Sequence, residues 1–248
     1  MFCSQLIPYA ITQKGLLGLV LAVLLPLVGY LIVDHYREDA VPLPRYYIAE
    51  RVDTVKKDGK TTYDTVYHTV KDFTFTNQMG KQVSLHDMPH KMVLVNFFFT
   101  SCPSICPKMM ANLEKLQKAY IKSDSLLQLM SLTVDPERDS SETLRQYGLK
   151  RNINPDNWWL LTGNKKDIYD LARHEFFVSV TEGDGGPDDF IHTEKLILLD
   201  KDRHIRGYYD GTDSNVVRQI ANDIAVLHLE KAKNRPPFLK RIFNPGTE

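Results

Sequence analysis

The run Val93 to Phe99, VLVNFFF, breaks off at Thr100-Ser101 and is followed at once by Cys102, Pro103, Cys106 and Pro107. No other stretch constrains the fold as tightly. β-Branched and aromatic residues without alternation mark a strand buried on both faces in the middle of a sheet. From Lys108 the pattern turns helical, with Met109, Leu113, Leu116 and Tyr120 recurring at spacings of three and four. The segment therefore reads as a central strand, a two-cysteine turn and a helix. Residues four apart in a first helical turn are rotated by only about 40° and rise about 6 Å, which puts both sulfurs on one face. That separation suits a disulfide, and it equally lets both sulfurs reach one metal ion at about 2.3 Å. N–H groups at a helix start favour the thiolate, raising nucleophilicity and metal affinity. Redox and metal chemistry both stay open on this geometry. An inert pair of buried thiols has no need of a proline-flanked turn at the carboxyl end of a strand, where α/β sheets place their sites.

The 248 residues suffice for one ordinary domain and an appendage. Basic and acidic side chains balance at 31 each, so there is no excess of positive charge and nothing to favour a nucleic-acid partner. Gly15 to Val33 carries no charge over a length just sufficient to cross a hydrocarbon core. Small residues in a cleavage-site arrangement do not follow it; Asp34, Glu38 and Asp39 do, which predicts an uncleaved anchor. Lys14 before the run and the acidic residues after it orient the amino end inside, leaving the body of the protein outside the cytoplasm. Cys3 precedes the apolar run and does not resemble a lipoprotein cysteine. The predicted organisation is a cytoplasmic end at 1–14, a transmembrane anchor at 15–33, a proline-bearing tether at 34–45, a β-hairpin extension at 46–70, an α/β domain at 71–230 and a loose tail at 231–248.

Within that plan, YYIAERVDTV and TTYDTVYHTV flank an Asp58-Gly59 turn signal and predict the hairpin. Leu126 to Val134 is a second buried strand, Trp158 to Leu161 a third, Lys195 to Asp200 and Gly207 to Tyr209 two more. Helices fall after Ser140-Ser141, after Asn164 and over Ser214 to Leu229. Strands alternating with helices and closing on a hairpin-like pair and a helix give an α/β, thioredoxin-like arrangement with a central mixed sheet. Of the paired methionines, one is expected in the core and the other at the surface. His174, His204 and His228 are expected at the surface, and His86 and His90 in solvated loops.

With Thr100 to Pro107 (TSCPSICP), Val134 to Asp139 (VDPERD) and His192 ahead of an apolar strand, the chain resembles the Sco/SenC family. These are membrane-anchored, thioredoxin-like copper proteins required for assembling the CuA centre of cytochrome c oxidase. The resemblance covers roughly residues 73–229. It implies copper, as Cu(I) or Cu(II), held by Cys102, Cys106 and His192. It further implies a metallochaperone in the inner membrane, its domain on the periplasmic side. The implied partner is cytochrome c oxidase subunit II or a similar copper-accepting protein. Soft thiolates and an imidazole suit Cu(I). Asp135 matches an acidic residue near the family's site and is assigned support or partner contact.

A second function uses the same sulfurs: a thiol-disulfide oxidoreductase with Cys102 and Cys106 as its redox-active pair. Ordinary thioredoxins have two residues between their cysteines and a cis-proline facing them. Here there are three, and no proline lies between Phe190 and Asp200, which favours metal. A structural zinc site would need a fourth protein ligand, and none is evident. A peroxidase has nothing but the thiols in its favour. The hairpin at 46–70 and the acidic Gly-Asp-Gly-Gly segment before His192 depart from the family core.

Overall fold

The structure is a computed structural model that describes residues 18, 22–31, 44–57, 60–120, 126–178 and 193–230. The chain divides into one unit, Leu43–Arg235, and another comprising Met1–Pro42 and Pro236–Glu248. In the latter, residues 18 and 22–31 are helical. No helix among the described residues is long and apolar enough to cross a membrane, so the anchor expected at 15–33 is not seen as such. The rest of that run, most of the tether and the tail at 231–248 lie outside the described residues.

The larger unit is built on seven strands. They are β3 (Thr74–Asn77), β4 (Gln82–Ser84), β5 (Met92–Phe98), β6 (Leu127–Thr133), β7 (Trp158–Thr162), β8 (Lys195–Leu199) and β9 (Ile205–Asp210), ordered 4-3-7-6-5-8-9 across the sheet. β5, β6 and β7 are parallel, while β3, β4, β8 and β9 join antiparallel. The parallel crossovers are α1 (Ile105–Tyr120) and α2 (Ser141–Lys150); α3 (Lys165–Asp170), a π turn at Leu171–Glu175 and α4 (Val216–Glu230) complete the fold. A separate hairpin, β1 (Ala49–Lys57) with β2 (Lys60–Tyr67), precedes the sheet.

Every residue of β5 is buried, as the unalternating run requires. Alternate side chains still divide between two cores: Val93, Val95 and Phe97 pack with Ile168, Ala172 and Phe176, while Met92, Leu94 and Phe98 pack with Leu113, Leu144 and Ile220. The second core also holds Cys102 and Cys106. Across its strands runs a buried polar chain, Trp158 Nε1 donating to Ser131 Oγ at 2.9 Å and Ser131 Oγ to Asn96 Oδ1 at 2.6 Å. The chain satisfies Oδ1 of Asn96, the polar residue at the centre of the sheet, while its Nδ2 has no hydrogen bond among the described residues.

Three expectations are corrected here. The helix predicted from Lys108 begins at Ile105, because Pro107 falls in the first turn, where a missing N–H costs nothing. Met109 and Met110 are both fully buried, since α1 buries a stripe wide enough to take in adjacent positions. His204 is half-buried rather than at the surface, its ring edge-on to Tyr46 at 5.3 Å and paired with Asp200.

Candidate metal centre

β5 delivers the chain to Phe99, where a tight turn is closed by the Cys102 N–H donating to the Phe99 carbonyl at 3.2 Å. Cys106 then sits on the first turn of α1. Strand end, turn and helix start thus bring the two thiols together under the second core, with Cys102 9% and Cys106 3% exposed. Neither is in a disulfide.

The pair is electrostatically unequal. Burial pushes the Cys102 thiol up, but hydrogen bonds from the Cys106 thiol and from the backbone N–H groups of Ser104 and Cys106 outweigh it and bring Cys102 below its ordinary value. The Ser104 hydroxyl lies 4.0 Å from the Cys102 sulfur. Cys106 is pushed up to about 12 by burial and by having Cys102 beside it, against the opposing N–H of Phe99. Cys102 is therefore the more readily ionised of the two thiols and Cys106 the one that gives up its proton last. A metal ion shared by both sulfurs would replace that proton and draw on both thiolates. Two adjacent soft donors in a largely apolar pocket fit copper(I).

Around the pair, Tyr147 packs on Phe98 at 5.6 Å between ring centroids, its hydroxyl pushed up to about 12 chiefly by burial, which the charge of Arg151 opposes. A groove of about 530 Å³ lined by Thr100, Ser101, Glu142, Thr143, Gln146, Tyr147 and Lys150 opens beside the turn. At the end of β6, Asp135 is buried, 3.5 Å from Arg138, with its Oδ2 lacking a hydrogen bond among the described residues. Asp139, also buried, reaches across to Thr100. The motif VDPERD contained this residue, but nothing in the sequence separated it from an ordinary turn aspartate.

Of the residues expected to bind metal, Cys102 and Cys106 are brought together, and His192 lies outside the described residues. Among the described residues no group of three His, Cys, Asp or Glu side chains is placed to hold a metal ion.

A thioredoxin-like domain with a central mixed sheet, carrying its dithiol where a parallel strand meets a helix, defines the class. The chain belongs to the SCO1/SenC family, whose sequence profile matches residues 61–228. It is 30% identical over 166 residues to the SCO1 protein homolog of Bacillus subtilis, covering 67% of this chain and 86% of that protein. Among solved structures it is similar to a SCO1/SenC family lipoprotein from Bacillus anthracis, with TM-score 0.59, 31% identity and 65% and 95% of the two chains covered. BsSco, described as a member of the Sco family of cytochrome c oxidase assembly proteins with a disulfide switch, gives TM-score 0.56, 32% identity and 64% and 93% coverage. Copper-bound ScoI of Bradyrhizobium japonicum shares the fold, with TM-score 0.52, 23% identity and 63% and 98% coverage.

Proposed function

We propose that this chain binds copper through Cys102, Cys106 and His192 and delivers it to the CuA site of cytochrome c oxidase subunit II or a similar copper-accepting protein. The observation that carries the reading is the buried, adjacent pair of thiols at the β5–α1 junction of a SCO1/SenC chain. The sulfurs take the ion as soft donors, and His192 supplies the nitrogen of a three-donor set that a recipient's own ligands can enter. The uncharged run 15–33 serves as anchor in the inner membrane, the domain lying on the periplasmic side. Copper-bound and oxidase-assembly proteins among its relatives support the assignment.

Anaerobic titration of the reduced chain with Cu(I) tests it. One equivalent binds tightly in the parent, and Cys102→Ser, Cys106→Ser and His192→Ala each lose it. Parental affinity in His192→Ala removes that residue from the site.

The inequality of the two thiols favours a second reading, reduction of a target's cysteines. Cys102 thiolate attacks the target disulfide, and Cys106 resolves the mixed disulfide, passing two electrons to the target and leaving the pair oxidised. Weak, non-stoichiometric copper binding alongside a readily cycled Cys102–Cys106 disulfide would put this reading first.

A further inference from the structure

Both oxygens of the Asp139 carboxylate are engaged, and the residue is only 1% exposed. Oδ2 accepts from the Thr100 N–H at 3.0 Å and from the Thr133 hydroxyl at 2.5 Å, while Oδ1 accepts from the Thr100 hydroxyl. Its own N–H closes the turn after β6 on the Asp135 carbonyl at 2.9 Å, and the next residue, Ser140, caps α2 by accepting from the Thr143 N–H at 3.2 Å. The carboxylate is thus rigidly held from one side and grips Thr100 on the other.

We propose that Asp139 is a positioning residue for the dithiol, pinning Thr100 so that the turn bearing Cys102 and Cys106 keeps the two sulfurs together. The inference rests on the reading of this pair as the working site. Phe99, immediately before Thr100, is the point both cysteines share: its carbonyl accepts from the Cys102 N–H at 3.2 Å, and its backbone N–H opposes the rise of the Cys106 thiol. Thr100 is the next link in the chain, and Asp139 holds it by backbone and side chain at once. A buried carboxylate is stable only where donors surround it, and three charge-assisted bonds make this grip stiff.

Equilibration of the copper-free, full-length chain with glutathione reads the effect. Cys102 thiolate attacks oxidised glutathione and releases one glutathione thiolate. Cys106, giving up its proton, then attacks the Cys102 sulfur of the mixed disulfide and releases the second. Two electrons pass from the protein sulfurs to glutathione, and the equilibrium constant reports how closely the sulfurs are held.

Thr100→Val, which removes only the hydroxyl from an otherwise similar side chain, lowers that constant roughly five- to tenfold. Thr100→Ser, which restores the hydroxyl, returns it to the parental value, and Asp139→Asn lowers it in the same direction as Thr100→Val. Folding is checked by circular dichroism. A parental constant in folded Thr100→Val overturns the proposal, and so does an equal loss in Thr100→Ser. If Thr100→Val does not fold, Asp139→Asn decides, a parental constant there being the overturning result. Because no copper is present, failure of the copper assignment leaves this equilibrium unchanged, and failure of the pin leaves the copper stoichiometry of the parent unchanged.

Discussion

Each cysteine of the centre titrates under the joint effect of burial and of its neighbour. Burial raises both thiols. The Cys106 thiol beside Cys102, with the N–H groups of Ser104 and Cys106, outweighs it at Cys102 and brings that thiol below its ordinary value, while the neighbouring Cys102 adds to the rise of Cys106. Alkylation by iodoacetamide just above neutral pH therefore modifies Cys102 first and leaves Cys106 largely intact, as peptide mapping shows. Replacing Cys106 with Ala removes the donor but keeps most of the burial, so the Cys102 thiol titrates at higher pH and its alkylation slows several-fold. An unchanged rate in Cys106→Ala would mean that the N–H groups of Ser104 and Cys106 alone set the thiolate. This pair was legible in the sequence because spacing and strand-to-helix context are local. Its inequality was not, since it depends on which sulfur lies deeper beneath the second core.

Among the elements, β9 shows how a small residue leaves room for a neighbouring ring. A Cβ on Gly207 would stand 2.4 Å from the Tyr209 hydroxyl oxygen, and that hydroxyl donates to Asp223 Oδ2 on α4 at 2.6 Å. Gly207→Ala must push the ring aside and break the link between sheet and helix, at a cost of about 1–3 kcal/mol. Thermal unfolding should register it at roughly 2–4 °C for each kcal/mol. An unchanged midpoint would show that Tyr209 has room to move and that the bond to Asp223 contributes little. The elements themselves were largely legible, because apolar runs and periodicities encode them. The depth of Met110 and the half-burial of His204 were not, since each is decided by a neighbour distant in sequence. The same holds for Asp139, whose partner Thr100 lies 39 residues away.

At the scale of the larger unit, the segment entering the domain is held by a buried guanidinium. Arg206, 2% exposed, donates to Asp200 Oδ2 at 3.0 Å, to Glu230 Oε2 at 2.8 Å and to the Pro44 carbonyl at 2.8 Å, with Tyr46 stacked 4.0 Å from its charge. His204 stands at the same junction, its Nδ1 3.6 Å from Asp200 and its backbone bridged to Thr69 at the end of the hairpin segment. Asp200 gives His204 a pKa above its ordinary 6.5, burial opposing. For Asp200, burial raises the pKa, but the bonds from His204 and Arg206 outweigh it and hold the carboxyl below its ordinary 3.8. A raised histidine stabilises the fold fully below its unfolded value and loses that contribution as pH rises through the folded one; a depressed carboxylate contributes above its unfolded value and loses it as pH falls. The pair is therefore worth most between about pH 4 and 6.5. Removing the histidine should abolish only the upper limb. Between pH 6 and 8 the thermal midpoint of the parent falls by a component that His204→Gln lacks, and the two converge toward the alkaline side. If both chains instead lost stability in parallel over that range, the charge on His204 would not help hold the entering segment, and Arg206 would carry the junction by itself.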